Sequence, residues 1–347
     1  MFVGCVGLPL YDETVEKLFE ALSDIDKDLR NIRGIVKDVN VKYVGLDSND
    51  ALHIQGVLSS DSSYVKKSFA YVTLYLIQAV GLKYCRSGGG PSTDLKVKAG
   101  YEKHSHTEKE SVPDHVIERI VKMRSRLYEL QLIEDLLDGE SGYIAMLDGS
   151  LISFLSFGLK GVKEKREEVR KLWEDIRDSL RRLSQSATLV FISKSVKLNY
   201  YAREWFKDPK VSREVNDVAV LNYFRNTLKL PLEPHIIEPI VVGKDELPPP
   251  LNRREFDVSG LIPMTVTYVS LGYGGPYYQV SIPGVKEVDE VRRILSTVMK
   301  YSSNGYPEPL RIAHATSKLK NSEVTSVMQK LGYGNIFSGR EVLGEFT

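Results

Sequence analysis

The sequence predicts an α/β protein in which a mixed β-sheet is flanked by helices. Two near-continuous apolar runs, at 143–156 and 187–195, are typical of buried strands. Charged segments with apolar residues at helical spacing, at 12–38, 113–137 and 162–184, indicate amphipathic helices. With 42% hydrophobic and 27% charged residues, the chain can bury a sizeable core.

The first third of the chain predicts one helix, three strands and a loop. The helix at 12–38 is followed by KYVGLDS (42–48), which we interpret as a strand that ends in Asp47. ALHIQGVLSS (51–60) follows a turn. At least part of 68–84 is expected to be a third strand, although its length leaves strand and helix both open. The polar, glycine-rich stretch 86–112 predicts a mobile loop.

Helices dominate the rest of the predicted order. Pro113 opens a helix that Asp138-Gly139 stops, and Asp148-Gly149-Ser150 interrupts the buried run 143–156. Helical segments fill much of 199–228, and three consecutive prolines at 248–250 break the chain. A hairpin is expected around Gly274-Gly275. The last predicted helices span 287–301, 308–319 and 322–331.

We interpret the 347 residues as a single elaborated domain. Residues 1–40 form an N-terminal helical region and 41–200 the core. Residues 201–347 supply a helical insertion, the hairpin and C-terminal helices that complete the core.

Composition limits the possible partners and location. The formal net charge is +1, so any nucleic-acid surface has to be a local groove rather than a field over the whole molecule. Only two cysteines, Cys5 and Cys85, argue against a disulfide framework or a zinc cluster and fit a reducing cytoplasm. The N-terminus lacks the basic region of a signal peptide, and no apolar run reaches the roughly 18 residues of a membrane span. We therefore expect a cytoplasmic protein without a membrane partner.

Four residues follow one another in an order that suggests a metal site. Asp47 ends the first predicted strand, a helix glutamate follows, Asp148 lies on the next buried strand, and His314 lies on a late helix. A ribonuclease-H-like fold presents its metal ligands in that order. Hard divalent cations need converging carboxylate oxygens, and two such cations can clamp a phosphoryl displacement.

Each member of this set also has a purely structural interpretation. Taken by itself, Asp47 is more typical of a residue that caps the turn Asp-Ser-Asn-Asp. Asp50 is the weaker ligand candidate, because it lies deeper in that turn. For Asp148 the functional interpretation is favoured, because a charge within IAMLDGSLI is costly unless it is paired or metal-bound. The helix offers both Glu129 and Glu134, and its periodicity does not choose between them.

The late histidine and one lysine complete the candidates. A lone helix histidine such as His314 is more often structural, but an imidazole ligand suits Mn²⁺, and it can also carry a proton near neutral pH. Lys194 interrupts a buried strand, so it either extends to water or contacts a phosphate, with equal weight. No phosphate-binding GxxxxGK[ST] motif is present, so ATP hydrolysis would have to come from a partner.

Together these motifs resemble the archaeal NurA nucleases, from about residue 12 to 331. The resemblance is carried by an early strand Asp, a helix Glu, LDGSL, ISKS and YPEPLRIAH in that order. It implies Asp47, Glu129, Asp148 and His314 as metal ligands, and the family spacing favours Glu129 over Glu134. Lys194 would be the active-site lysine and Tyr306 the motif tyrosine, both contacting DNA. The first motif departs from the family pattern, because it is LDSND rather than DGS-like.

The resemblance also implies an activity and partners. The implied activities are a 5′-to-3′ exonuclease on single- and double-stranded DNA and a single-strand endonuclease. The implied cofactor is Mn²⁺, with Mg²⁺ as the alternative. A homodimer would act with a hexameric HerA-type translocase in double-strand-break resection, a step of repair by homologous recombination. The alternatives are a catalytically weak or inactive DNA-binding adaptor of the translocase, and another ribonuclease-H-like enzyme such as a resolvase or an Argonaute-type slicer.

Overall fold

A ten-stranded mixed sheet carries the larger of the two units that the computed structural model shows. That unit comprises Tyr43–Val196 and Leu232–Thr347, and the smaller unit comprises Met1–Lys42 and Lys197–Pro231. The structure describes residues 12–37, 39–69, 72–87, 90–105, 112–156, 166–194, 199–206 and 216–333. No helix within these ranges is long and apolar enough to cross a bilayer.

The described elements alternate between strands and helices along the chain. The strands are β1 (Tyr43–Gly45), β2 (Gly56–Ser68), β3 (Val72–Ser87), β4 (Gly90–Ser105), β5 (Tyr143–Asp148), β6 (Ala187–Ser193), β7 (His235–Ile237), β8 (Ile240–Val242), β9 (Met264–Ser270), β10 (Tyr278–Pro283), β11 (Ser302–Ser303) and β12 (Tyr306–Pro307). The helices are α1 (Asp12–Val36), α2 (Asp114–Leu137), α3 (Leu151–Ser156), α4 (Arg166–Ser186), α5 (Ala202–Trp205), α6 (Asp217–Tyr223), α7 (Val288–Lys300), α8 (Glu308–Ser317) and α9 (Asn321–Lys330).

Five neighbouring strands of the sheet have the topology that positions the site. The sheet order is β1-β7-β9-β10-β6-β5-β2-β3-β4, with β8 beside β9. Strands β2, β3 and β4 form an antiparallel meander, α2 follows, and β5 and β6 then run parallel to β2. Three antiparallel strands, a helix and two parallel strands are the ribonuclease-H-like order. The predicted mixed sheet flanked by helices is therefore confirmed, as are the hairpin (β9 and β10) and the helices near 113–137, 287–301 and 308–319.

The first core strand lies later in the sequence than predicted. Of the segment 42–48 only Tyr43–Gly45 is a strand, and it pairs with β7 at one end of the sheet. The core strand is Gly56–Ser68, which runs straight through Ser60-Asp61-Ser62-Ser63. Serine and aspartate favour turns, so this stretch resembles a break. Hydrogen bonds between the hydroxyl groups of Ser59 and Ser63 and residues 309–319 keep this part of β2 extended.

Residues 86–112 contain a long strand where a mobile loop was predicted. β3 extends to Ser87, and β4 covers Gly90–Ser105. The sequence itself explains this strand. Leu95, Val97, Ala99 and Tyr101 alternate with charged or small residues, which is the period of a β-strand. His104 belongs to this strand and is 7% exposed, whereas His106 lies outside the described residues.

Another difference concerns the buried run 143–156. The strand ends at Asp148, and Leu151–Ser156 forms the short helix α3. The intervening Gly149 has a φ of +114°, a conformation that L side chains rarely adopt. This turn explains why one apolar run supplies two different elements.

A glycine allows α2 to approach the sheet closely. A Cβ on Gly81 of β3 would lie 2.9 Å from both Leu132 Cβ and Leu136 Cδ1. Only a residue without a side chain therefore permits this spacing between helix and strand. The close approach fixes the position of α2, and with it the position of Glu129.

The smaller unit is helical in its described part. It contains α1, α5 and α6. The buried Asp217 at the start of α6 accepts hydrogen bonds from the backbone N–H groups of Tyr201 (2.9 Å) and Ala202 (2.7 Å), which joins α6 to α5.

Candidate active site

Two aspartates lie side by side where β5 ends. The last pair in the parallel register of β2 and β5 is Ser60 with Leu147, so the next residues on the two strands are Asp61 and Asp148. Opposed residues of parallel strands project to the same face, and neighbouring strands are about 4.8 Å apart. The sheet itself therefore brings these two carboxylates together.

Asp61 is held against the late helix α8. His314 Nδ1 lies 2.9 Å from Asp61 Oδ2, and the Ser317 hydroxyl donates to the same oxygen at 2.7 Å. The Asp61 side chain is 17% exposed and that of His314 is 63% exposed. The predicted placement of His314 on a helix facing a carboxylate agrees with this geometry, although the carboxylate is Asp61.

Serine side chains of β2 explain why α8 docks in this position. The Ser59 hydroxyl donates to the carbonyl oxygen of Pro309 at 2.9 Å. The Ser63 hydroxyl donates to the Ser317 carbonyl at 2.5 Å and accepts from the Leu319 N–H at 2.8 Å. Residues 59, 61 and 63 alternate along the strand, so all three face the helix.

Glu129 reaches the part of β2 next to Asp61 from α2. It is 6% exposed and accepts a hydrogen bond from the Ser62 hydroxyl, one residue beyond Asp61. The pKa of Glu129 is raised to about 7, mainly by burial; Arg126 and the Ser62 hydrogen bond oppose this increase, and the charges of Asp61 and Asp148 contribute to it. The three carboxylates are therefore close enough to influence one another.

Glu134, the other candidate on this helix, has a different environment. Its Oε1 accepts from the Ser179 hydroxyl at 2.8 Å and from Arg182 Nε at 3.0 Å, both on α4. The structure thus brings Glu129 to the two aspartates and uses Glu134 to join α2 to α4.

Lys194 and Tyr306 border the site next to Asp148. Lys194 Nζ lies 3.0 Å from Asp148 Oδ2 and 4.6 Å from the centre of the Tyr306 ring. Burial opposes the charge of Lys194, but its interactions with Tyr306 and Asp148 outweigh this and raise its pKa above the ordinary value. Burial raises the pKa of Tyr306 to about 12, so its hydroxyl keeps its proton.

Asp47 does not join this cluster. Its side chain caps a 3-10 turn, Ser48–Asp50, by accepting from the Asn49 N–H at 2.9 Å. Four strands separate β1 from β5, which corresponds to about 24 Å at the usual strand spacing. The expected proximity of Asp47 and Asp148 is therefore wrong, because β1 is an outer strand rather than the first core strand. Asp50 is likewise engaged elsewhere, by Arg292 Nη1 at 2.7 Å.

Asp61 is the residue that the sequence analysis missed. A signal for it was present, because Asp61-Ser62-Ser63 follows the apolar start of β2 as Asp148-Gly149-Ser150 follows that of β5. Asp61-Ser62-Ser63 also resembles a DGS-like motif more closely than LDSND does.

A comparison of the sequence with known protein families agrees with this geometry. The sequence matches the NurA domain over residues 56–319, more than half of the chain. The chain belongs to the NurA family. The match includes Asp61 and every other residue of the cluster, and it begins after Asp47. The resemblance inferred from the motifs is thereby confirmed.

Solved NurA structures have the same fold. The NurA nuclease from Sulfolobus solfataricus is 16% identical, with a TM-score of 0.63 over 93% of this chain and 97% of that one. A NurA structure with manganese is 14% identical, with a TM-score of 0.59 over 92% and 98% of the two chains. A NurA structure bound to dAMP and manganese is 15% identical, with a TM-score of 0.55 over 91% and 96%. No curated protein matches the sequence.

The donor set of this NurA chain fits a hard divalent cation. Asp61, Glu129 and Asp148 supply carboxylate oxygens, and His314 adds an imidazole. As placed, no three His, Cys, Asp or Glu side chains of the described residues converge to hold an ion. Lys194 and His314 engage the two aspartates instead. Their release would free the carboxylates, whose mutual repulsion a cation would relieve.

Proposed function

We propose that this chain is a metal-dependent deoxyribonuclease that hydrolyses phosphodiester bonds at the cluster of Asp61, Glu129, Asp148 and His314. One observation carries the proposal: carboxylates from three separate elements, β2, α2 and β5, lie near the C-terminal end of β5. Two are neighbours by strand register, and the charges of both raise the pKa of the third. Such a concentration of negative charge destabilises a fold unless cations balance it.

Manganese is the proposed cofactor, with magnesium as the alternative. The support is the donor set described above and the presence of manganese in two related NurA structures. Asp61, Glu129, Asp148 and His314 would hold the metal. When bound, one or two such ions would polarise the phosphate and lower the pKa of a water nucleophile.

The remaining side chains are suited to bind and orient the DNA. Lys194 keeps its positive charge beside Asp148, so it can contact an oxygen of the scissile or a neighbouring phosphate. Tyr306 lies against Lys194 and its hydroxyl is buried, so it would act at the DNA by holding Lys194 in place. The exposed His314 can carry a proton to or from solvent if it is not a ligand.

The resemblance to NurA nucleases supports a finer proposal. The enzyme would degrade single- and double-stranded DNA from 5′ to 3′ and cut single strands internally. It would act as a homodimer with a HerA-type hexameric translocase during resection of double-strand breaks. The absence of a GxxxxGK[ST] motif from the sequence is consistent with an ATPase supplied by a partner.

An inactive DNA-binding adaptor is the second candidate. The observation that favours it is the ion pair between Lys194 and Asp148, which occupies a carboxylate that the nuclease needs for metal. The two candidates differ in cleavage and agree in DNA binding.

The deciding experiment uses the full chain and DNA that is labelled at either end. The nuclease proposal expects cleavage of single-stranded DNA with Mn²⁺ and none with EDTA. The position of the label in the first short products reports polarity. Cleavage that persists in EDTA, in wild type and Asp148→Asn alike, would indicate a contaminating nuclease. DNA binding without cleavage under all conditions would support the adaptor instead.

A further inference from the structure

Arg126 on α2 holds its guanidinium group beside the active site in a fixed orientation. Its central carbon lies 3.9 Å from the centre of the Phe154 ring, so the group lies against the aromatic face. Its Nη1 donates to the carbonyl oxygen of Asp148 at 3.4 Å and lies 4.0 Å from Glu129 Oε2. The side chain nevertheless stays 25% exposed. Arg126 therefore contacts two members of the site and is open to solvent.

The turn after Asp148 leaves room for this group. A Cβ on Gly149 would lie 3.6 Å from both Nη1 and Nη2 of Arg126 and 3.1 Å from the Ser153 hydroxyl. Because glycine has no side chain, the Gly149 position leaves this side of the two terminal nitrogens uncovered. Lys194 contacts the carboxylate of Asp148 while Arg126 contacts its carbonyl. Two positive groups thus approach the same residue.

Most hydrogen-bonding capacity of Arg126 is still available. A guanidinium has five N–H donors, and the contacts within the described residues involve Nη1 alone. Arg124, two residues earlier, differs: its Nε lies 2.6 Å from Glu102 and its Nη2 lies 2.9 Å from Glu168. Arg124, whose role is structural, is therefore paired with two carboxylates, whereas Arg126 lies near only one, that of Glu129.

We propose that Arg126 is a phosphate-binding residue, which takes the oxygens of a DNA phosphate next to the one that is cleaved. The proposal rests on the proposed nuclease function. A planar guanidinium matches two phosphate oxygens, and its stacking on Phe154 fixes the plane before DNA arrives. Arg126 positions the strand, and the carboxylate cluster performs the cleavage.

The test measures DNA binding of the full chain in EDTA, apart from catalysis. Arg126→Gln should weaken binding of a short single-stranded DNA about 10-fold at low salt. The slope of log affinity against log salt should fall by about 0.7, the value for one lost phosphate contact with a single strand. Arg126→Lys keeps the charge but loses the two-point contact, so it should bind at least about 3-fold more weakly. Arg124→Gln, which removes a charge from the same helix, should leave affinity and slope unchanged.

Wild-type affinity and slope in Arg126→Gln, with unchanged thermal stability, would overturn the proposal. If that variant does not fold, Arg126→Lys decides alone, and wild-type binding by it would also overturn the proposal. Cleavage with Mn²⁺ is measured separately on the same proteins. A wild-type chain that binds DNA but never cleaves it would refute the nuclease function and leave the binding result for Arg126 intact.

Discussion

His314 Nδ1 lies 2.9 Å from Asp61 Oδ2, although 253 residues separate them in the chain. The contact exists because α8 docks along β2 through the hydroxyl groups of Ser59 and Ser63. It joins the late histidine motif to the first core strand, and it places Asp61 rather than Asp47 in the candidate site. The clearest test therefore compares Asp61 with Asp47.

Asp61→Asn should lower cleavage of single-stranded DNA at least about 100-fold, whereas Asp47→Asn should leave it within about 3-fold of wild type. Even residues that only orient metal ligands cost 10–100-fold when replaced, so a ligand should cost more. Initial rates with saturating Mn²⁺, together with thermal melting of both variants, measure this. Equal losses in the two variants would mean that Asp47 reaches the site and that the strand assignment fails.

Asp148→Asn should abolish cleavage and preserve DNA binding. Binding depends on lysine and arginine contacts to phosphate, whereas cleavage needs the anionic carboxylate. The substitution also frees Lys194 from its ion pair, so binding at low salt should be unchanged or slightly tighter. Fluorescence anisotropy with labelled DNA and a gel assay with Mn²⁺ report the two properties. Retained Mn²⁺-dependent cleavage would remove Asp148 from the site.

His314→Ala should lose most of the cleavage activity, and its control has to be chosen from the structure. His104 is unsuitable, because it is buried on β4 and its loss would disturb folding. His115 is exposed on α2, so His115→Ala should cleave like wild type. Rates are compared between about pH 6 and pH 8.5. Wild-type rates for His314→Ala throughout that range would show that the histidine only packs against Asp61.

Much of the fold and four of the five catalytic candidates could be predicted from the sequence. The apolar run around Asp148 and the YPEPLRIAH segment are strong local signals, and the structure brings both to one place. Asp61 could not be found in the same way, because its neighbours are turn-forming serines whose partners lie some 250 residues away. The helical periodicity could not decide which of Glu129 and Glu134 belongs to the site. That depends on which element packs against each residue, and the structure places β2 against Glu129 and α4 against Glu134.

The last prediction concerns Glu129 and the stability of the metal-free protein. Burial raises the pKa of Glu129 from 4.5 to about 7 in the folded state. The folded chain then binds this proton more tightly than the unfolded chain, so the contribution to stability is complete below about pH 4.5 and is lost as the pH rises through 7. The shift corresponds to at most roughly 3–4 kcal/mol.

Thermal melting in EDTA between pH 5.5 and pH 8.5 tests this with Glu129→Gln as the matched variant. Glutamine keeps the shape and can accept the Ser62 hydrogen bond, but it does not titrate. Wild type should therefore lose about 3 °C in melting temperature relative to the variant, mostly between pH 5.5 and pH 7. Saturating Mn²⁺ should reverse the trend for wild type alone, because the cation needs the deprotonated carboxylate. A difference between the two proteins that stays constant with pH would show that Glu129 is already ionised, and that its environment is less apolar than its burial indicates.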